Sequence, residues 1–173
     1  MNIFDTPKDC IRTNSGIYMN IFEPTLDMID INDIAHALSA LPRFGGHLNK
    51  FYSVAQHSVM CAMRVNSLED KRAALLHDAS EAYMLDIPTP IKAKLPDYKI
   101  YEANLMSKIA EKFSFEFPLS KEVKRVDEEM LHLEWDNLVI NQDKIFHCLS
   151  SEMAKEEFLK MYHDLFVETV VLQ

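Results

Sequence analysis

The nine residues Leu75-Leu76-His77-Asp78-Ala79-Ser80-Glu81-Ala82-Tyr83 constrain this chain more than any other stretch. They set a histidine, two carboxylates and a hydroxyl in a segment otherwise made of good helix formers. Residues three and four apart share a helix face, so a helix here turns His77 and Glu81 the same way, with Asp78 beside them. The rest of the segment is apolar enough to be buried. Three ionisable groups on an inward face are costly unless something neutralises them, and a divalent cation does so directly.

A second His-Asp dipeptide shows how little the pair means alone. His163-Asp164 falls in a C-terminal helix spanning Glu156 to Phe166, where Phe158, Leu159, Tyr162, Leu165 and Phe166 form an ordinary core stripe among solvated charges. It reads as structural. What distinguishes His77-Asp78 is its company.

At 173 residues, 48% hydrophobic and 26% charged, the chain is long enough to bury one sizeable core and too short to suggest two. We expect a single domain over 1–173, with 1–30 as an N-terminal hairpin extension and 31–173 as a helical core. A net charge of −9 argues against a nucleic-acid polymer or an anionic membrane as partner, and leaves a small phosphate-bearing ligand open. Cys10, Cys61 and Cys148 are odd in number and form no C-x-x-C, which fits a reducing compartment. The opening residues lack the basic and apolar regions of a leader, and no apolar run has the ~18 residues of a membrane span. A cytoplasmic location is expected.

Residues 11–22 alternate around Asn14-Ser15-Gly16 and read as a short β-hairpin, closed by Pro24. From Asn32 the pattern turns helical, with Ile34, Ala35, Leu38 and Leu41 on one face and Pro42 stopping the run. Arg43-Phe44-Gly45-Gly46-His47 follows, and an adjacent glycine pair marks a tight turn or a close backbone approach. A helix over Tyr52–Val65 carries His57 on an apolar face. Ser67-Leu68-Glu69-Asp70 resembles a capping box and opens the helix containing His77, which should run to about Leu85 before Asp86-Ile87-Pro88-Thr89-Pro90 ends it. Asp86 then hangs over the same site, and Lys92 brings a cation near. Two more helices are predicted over Asp97–Phe115 and Ser120–Asn141. In the second, Asp127 interrupts a buried stripe of Val123, Val126, Met130 and Leu131 and needs a partner, while Glu134 and Trp135 read as packing or supporting residues. The expected architecture is all-α, about six helices with an N-terminal hairpin.

His57, His77, Asp78 and Asp127 are thus four metal-competent side chains, each interrupting an apolar helix face. Alone, a histidine such as His57 is more often a hydrogen-bonded core residue than a ligand. Together, two imidazoles and two carboxylates suit a divalent Mn, Co, Fe, Zn or Mg ion with positions left for water and substrate oxygen. Such an ion lowers the pKa of bound water and polarises a phosphoryl oxygen. Glu81 is placed to orient that water or take its proton. Asp86 is placed to protonate a leaving oxygen or hold a sugar hydroxyl.

The order His57, His77-Asp78, Asp127 resembles the HD superfamily of metal-dependent phosphohydrolases. It is more closely similar to the bacterial 5'-deoxynucleotidases and the phage deoxynucleoside triphosphate triphosphohydrolases, including those acting on dATP. The residues that carry the likeness are Arg43-Phe44, Ser53-Val54-Ala55-Gln56-His57-Ser58, Leu75 to Glu81, Asp86-Ile87-Pro88-Thr89-Pro90-Ile91-Lys92 and Val123-Lys124-Arg125-Val126-Asp127, within a span from about Ile31 to Leu138. The resemblance implies an HD-type helical bundle with His57, His77, Asp78 and Asp127 on the metal. It also implies Glu81 and Asp86 in catalysis and sugar recognition, and Arg43 and Lys92 on phosphate. It implies a homo-oligomer too, for which ten methionines and ten phenylalanines supply apolar surface that serves a core equally well. Phe44 stands where relatives usually have Trp, keeping a stacking face without the indole N–H. His47 is either a further contact or simply exposed.

The substrate class so implied is a 2'-deoxynucleotide, cleaved either as a monophosphate or with release of triphosphate. For a triphosphate, Arg43, Lys92, Lys94 and Arg125 are candidates for a basic wall. Two other readings stay open at the level of sequence: a catalytically silent nucleotide-binding or sensory protein that keeps the same ligands, and an all-α interaction domain whose buried polar groups pair with one another.

Overall fold

A computed structural model describes residues 7–142 and 145–168. Strands β1 (Cys10–Arg12) and β2 (Tyr18–Asn20) pair antiparallel with Ile11 opposite Met19. Among the described residues eight α-helices follow: α1 (Ile31–Ala40), α2 (Val54–Ala62), α3 (Leu68–Leu76), α4 (Glu81–Met84), α5 (Thr89–Lys92), α6 (Pro96–Phe113), α7 (Lys121–Glu134) and α8 (Ser151–His163). The fold is all-α with an N-terminal hairpin, as the sequence predicts. The first six residues, on which the leader reading partly rests, lie outside the described residues. Among the described residues, no helix is long and apolar enough to cross a membrane.

The hairpin is stapled to the helices by a buried carboxylate. Asp33 on α1 accepts from the Ser15 backbone N–H at 2.7 Å and from the Ser15 hydroxyl at 2.6 Å, while Met19 on β2 is fully buried. Burial alone would raise the Asp33 pKa, but the Ser15 and Thr13 hydroxyls and the Ser15 amide hold it below its ordinary value.

Helix α2 is the centre of the bundle, packing against α1, α3, α7 and α8. Val54, Ala55, Gln56, His57, Ser58, Val59, Cys61 and Ala62 are all buried, which leaves only Met60 of this helix partly exposed and sets His57 deep in the core. Serine side chains cap the neighbouring helices. Ser67 accepts from the Asp70 N–H and opens α3, and Ser120 accepts from Val123 N–H at the start of α7 while donating to Asp70 Oδ1 at 2.7 Å. One residue thus caps one helix and ties it to another.

The predicted helix over 67–85 breaks. Helix α3 ends at Leu76, and residues 77–80 form tight turns in which Ala79 N–H bonds Leu76 C=O and Glu81 N–H bonds Asp78 C=O. The single-turn α4 then ends at Leu85, whose φ of +71° and ψ of 153° belong to a region non-glycine residues rarely enter. His77 and Asp78 therefore stand on a turn and Glu81 at the start of α4, not on one continuous helix face. The C-terminal end of the helix predicted over 120–141 also changes character, widening into a π-helical turn from Trp135 to Ile140.

Candidate metal centre

Three elements bring the predicted ligands together: α2 supplies His57, the turn after α3 supplies His77 and Asp78, and α7 supplies Asp127. The two imidazole Nε2 atoms face each other at 3.3 Å. Asp127 Oδ1 lies 3.1 Å from His57 Nε2 and 3.5 Å from His77 Nε2. Asp78 Oδ2 lies 3.2 Å from His77 Nε2 and 3.8 Å from His57 Nε2.

The other ring nitrogens decide what this cluster can hold. His77 Nδ1 is 2.7 Å from the Ala74 carbonyl oxygen, which only accepts, so Nδ1 carries a proton. His57 Nδ1 is 2.7 Å from Glu134 Oε1. Glu134 is fully buried and also accepts from Tyr52 Oη at 2.7 Å and Arg43 Nε at 3.0 Å. Burial raises its pKa, but the His57 and Arg43 charges and the hydrogen bonds from His57 and Tyr52 hold it below the ordinary value, so it too acts as an acceptor. Both neutral imidazoles must then present Nε2 as a lone pair. Two facing lone pairs beside two carboxylates repel one another until a cation sits among them, and a carboxylate or carbonyl behind each imidazole is the usual support for a metal-bound histidine.

The proton equilibria point the same way. Burial opposes a charged His77 most strongly, yet the charge of Asp78 and the hydrogen bond and charge of Asp127 hold its pKa up to about 10. His57 is likewise raised well above its ordinary value by Glu134 and Asp127, against burial and Arg43. Asp127 is driven below the ordinary carboxylate range by both imidazoles, against burial. The cluster attracts positive charge. The donor set fits a divalent ion with nitrogen and oxygen preferences.

Sequence reading missed one donor. Cys61 Sγ lies 3.5 Å from His57 Nε2, and the ligand atoms of His57, Cys61, His77 and Asp127 all fall within 4.8 Å of one another. The available signal was its i,i+4 spacing from His57, but a cysteine on a buried helix face reads first as a small hydrophobe.

The cluster opens into a cleft of about 560 Å³, within the range of small-molecule sites. Its lining includes Arg43, Phe44, Asp78, Glu81, Asp86, Lys92 and Asp127, joining the predicted catalytic and substrate residues in one cavity. Glu81 is buried, with Oε2 lacking a hydrogen-bond partner among the described residues and Oε1 3.8 Å from Lys92 Nζ. Burial, then the charges of Asp78 and Asp86, push its pKa up to about 9. Asp86 is also raised, chiefly by burial, with Asp78 reinforcing and Arg43 opposing. Lys92 binds Glu102 Oε1 at 2.7 Å. Arg43 is buried, with Nη1 3.6 Å from Asp78 Oδ2, and so is tied to two carboxylates as well as lining the cleft.

Other candidates fall elsewhere. Lys94 and His47 are exposed and are not in the lining. Arg125 is exposed and pairs with Glu122 and Glu129 on the outer face of α7. Trp135, expected to pack, is 47% exposed at the cleft wall.

No protein-family model matches the chain. Over 148 residues it is 43% identical to the uncharacterized protein YfdR of Escherichia coli, covering 86% of this chain and 83% of that protein. The chain belongs to the YfdR family. A second relative, an uncharacterized protein of Rhodobacter capsulatus, is 39% identical over 92 residues, covering 49% of this chain and 47% of its own.

Proposed function

We propose that the chain is a metal-dependent phosphohydrolase of the HD superfamily acting on 2'-deoxynucleotides, releasing phosphate from a monophosphate or triphosphate from a dNTP. One observation carries this reading: two imidazoles, each with Nδ1–H held by an acceptor, turn Nε2 toward Asp78 and Asp127 beside a nucleotide-sized cleft. His57, His77, Asp78 and Asp127 would hold the ion, with Cys61 close enough to join them. When bound, a divalent ion there supplies the Lewis acid that makes water nucleophilic near neutral pH and polarises a phosphoryl oxygen.

The chain's own residues supply the rest. The lining carries four carboxyl groups, Asp78, Glu81, Asp86 and Asp127, against the two cations Arg43 and Lys92. An ion held by His57, His77, Asp78 and Asp127 would take the place of the protons those imidazoles otherwise attract and keep positive charge at the end of the cleft where a phosphate oxygen would meet it. Lys92 and Arg43 are then the groups that meet phosphate oxygens. Glu81, with a pKa pushed up to about 9 and one oxygen unpaired, can hold a proton or accept one close to neutral pH. Asp86, also raised, is suited to give a proton to a leaving oxygen.

The test is product analysis with Mn2+ or Co2+ and each dNMP and dNTP in turn. Deoxynucleoside with phosphate from monophosphates marks a 5'-deoxynucleotidase, and deoxynucleoside with triphosphate marks a dNTP triphosphohydrolase. Absence of deoxynucleoside from all eight rejects the proposal.

A further inference from the structure

At the wall of the cleft, two consecutive pairs of residues are locked in register. Arg43 and Glu134 form a buried ion pair with Nε to Oε2 at 3.0 Å, and the residue following each, Phe44 and Trp135, places an aromatic ring in the cleft lining. The ring centroids are 6.0 Å apart and the planes inclined at 54°, so the rings touch without stacking face to face. Trp135 keeps 47% of its surface exposed. Phe44 reaches its place through a backbone φ of +56°, a conformation uncommon for a non-glycine residue and usually held for a functional reason.

The same wall leads back to the metal cluster. Asp127, Leu131 and Trp135 are four residues apart on α7 and its continuation, which puts them on one face, and all three line the cleft. Eight residues of helix rise about 12 Å, so the wall runs from the ion's carboxylate past an apolar step to an open indole. Ile87, Pro88, Pro90 and Leu131 add apolar surface to the same lining, beside the polar Thr89 and His132. Glu134 also accepts from His57 Nδ1, so the residue that precedes the indole in the chain orients a metal-competent imidazole.

We propose that Trp135, backed by Phe44, is the platform on which the substrate's base stacks while its phosphate lies toward Asp127. This deepens the deoxynucleotide reading and rests on it, because it assigns what holds the nucleoside end. Stacking uses a π-face that every base possesses, so the platform itself accepts all four bases, with a modest preference for the larger purine rings.

Trp135 is the single tryptophan of the chain, and its fluorescence therefore reports this position alone. The experiment titrates the full chain, with Ca2+ as the ion, with dAMP, dATP and the base-free deoxyribose 5-phosphate, following fluorescence and, by calorimetry, affinity. The nucleotides should quench Trp135 saturably, and deoxyribose 5-phosphate should bind without quenching. Trp135→Ala should weaken nucleotide binding roughly 10- to 100-fold, Trp135→Phe only a few-fold, and neither should change binding of deoxyribose 5-phosphate. Nucleotide binding that leaves the fluorescence unchanged and survives Trp135→Ala overturns the platform and leaves the phosphohydrolase reading standing. Equal weakening of nucleotides and deoxyribose 5-phosphate by Trp135→Ala also overturns it, marking the indole as structural. Failure of every nucleotide to bind overturns both.

Discussion

Glu134 carries more of the site than any other single residue outside the ligands. Its two oxygens accept from His57, Arg43 and Tyr52, so it fixes an imidazole, neutralises a buried guanidinium and anchors the helix that bears Asp127 and Trp135. Glu134→Gln keeps the shape but sets an amide donor among donors and leaves the buried Arg43 with only the longer contact to Asp78. The expected cost is about 3–5 kcal/mol of stability and a fall in metal affinity of roughly 10- to 100-fold, read by denaturant unfolding and metal titration. The pH dependence of the metal-free chain follows from His77 and Glu81. His77 is raised from 6.5 to about 10, so its contribution is complete below pH 6.5 and is lost as pH rises through about 10. Glu81 is raised from 4.5 to about 9 and acts in the same direction, its protonated form favouring the fold until pH passes about 9. In chelator, Tm should therefore fall as pH rises from about 6.5 to 10. Added Mn2+ should raise Tm, by an increment that grows with pH because ion and protons compete for the same nitrogens. A Tm in chelator that is level across that range contradicts the assigned proton equilibria.

At the scale of elements, the helices were legible where stripes and stop residues agreed. Ile34, Ala35 and Leu38 with Pro42 located α1, and Ser67 and Ser120 mark starts that the structure shows as side-chain caps. The break at His77 was not legible, because Ala79, Glu81 and Ala82 are good helix formers and only tertiary contacts impose the turn there. Leu85 stands at the end of that irregular stretch with φ +71° and 59% exposure, so its side chain contributes little burial while its backbone is strained. Leu85→Gly should raise stability by about 1 kcal/mol in thermal unfolding, and a loss would show that the leucine side chain matters more than its backbone. The hairpin, whose role sequence left unassigned, is held by Asp33. Asp33→Ala should cost about 1–3 kcal/mol, since the Ser15 amide and hydroxyl lose their acceptor, and an unchanged melting curve would remove that role.

Over the whole molecule, the distribution of charge links fold to function. The chain carries a net charge of −9, which disfavours polyanionic partners, while its cleft gathers Arg43 and Lys92 into one cavity where a small anion would meet them. The candidate ligands His57 and Asp127 were legible because each interrupts an apolar helix face, and His77 and Asp78 from the carboxylates around them, although they stand on a turn. Cys61 was not, being apolar in character itself, and neither was the open face of Trp135, which depends on how the end of α7 meets the turn at Phe44. The most direct test follows deoxynucleoside formation from mixed dNMPs and dNTPs while Mn2+ is added to metal-free chain, wild type beside His77→Ala. Formation should rise from zero and saturate at one ion per wild-type chain, and stay at zero in the variant. Formation that is independent of added ion, or equal in the two proteins, would contradict a metal centre at His57, His77, Asp78 and Asp127 as the source of the activity.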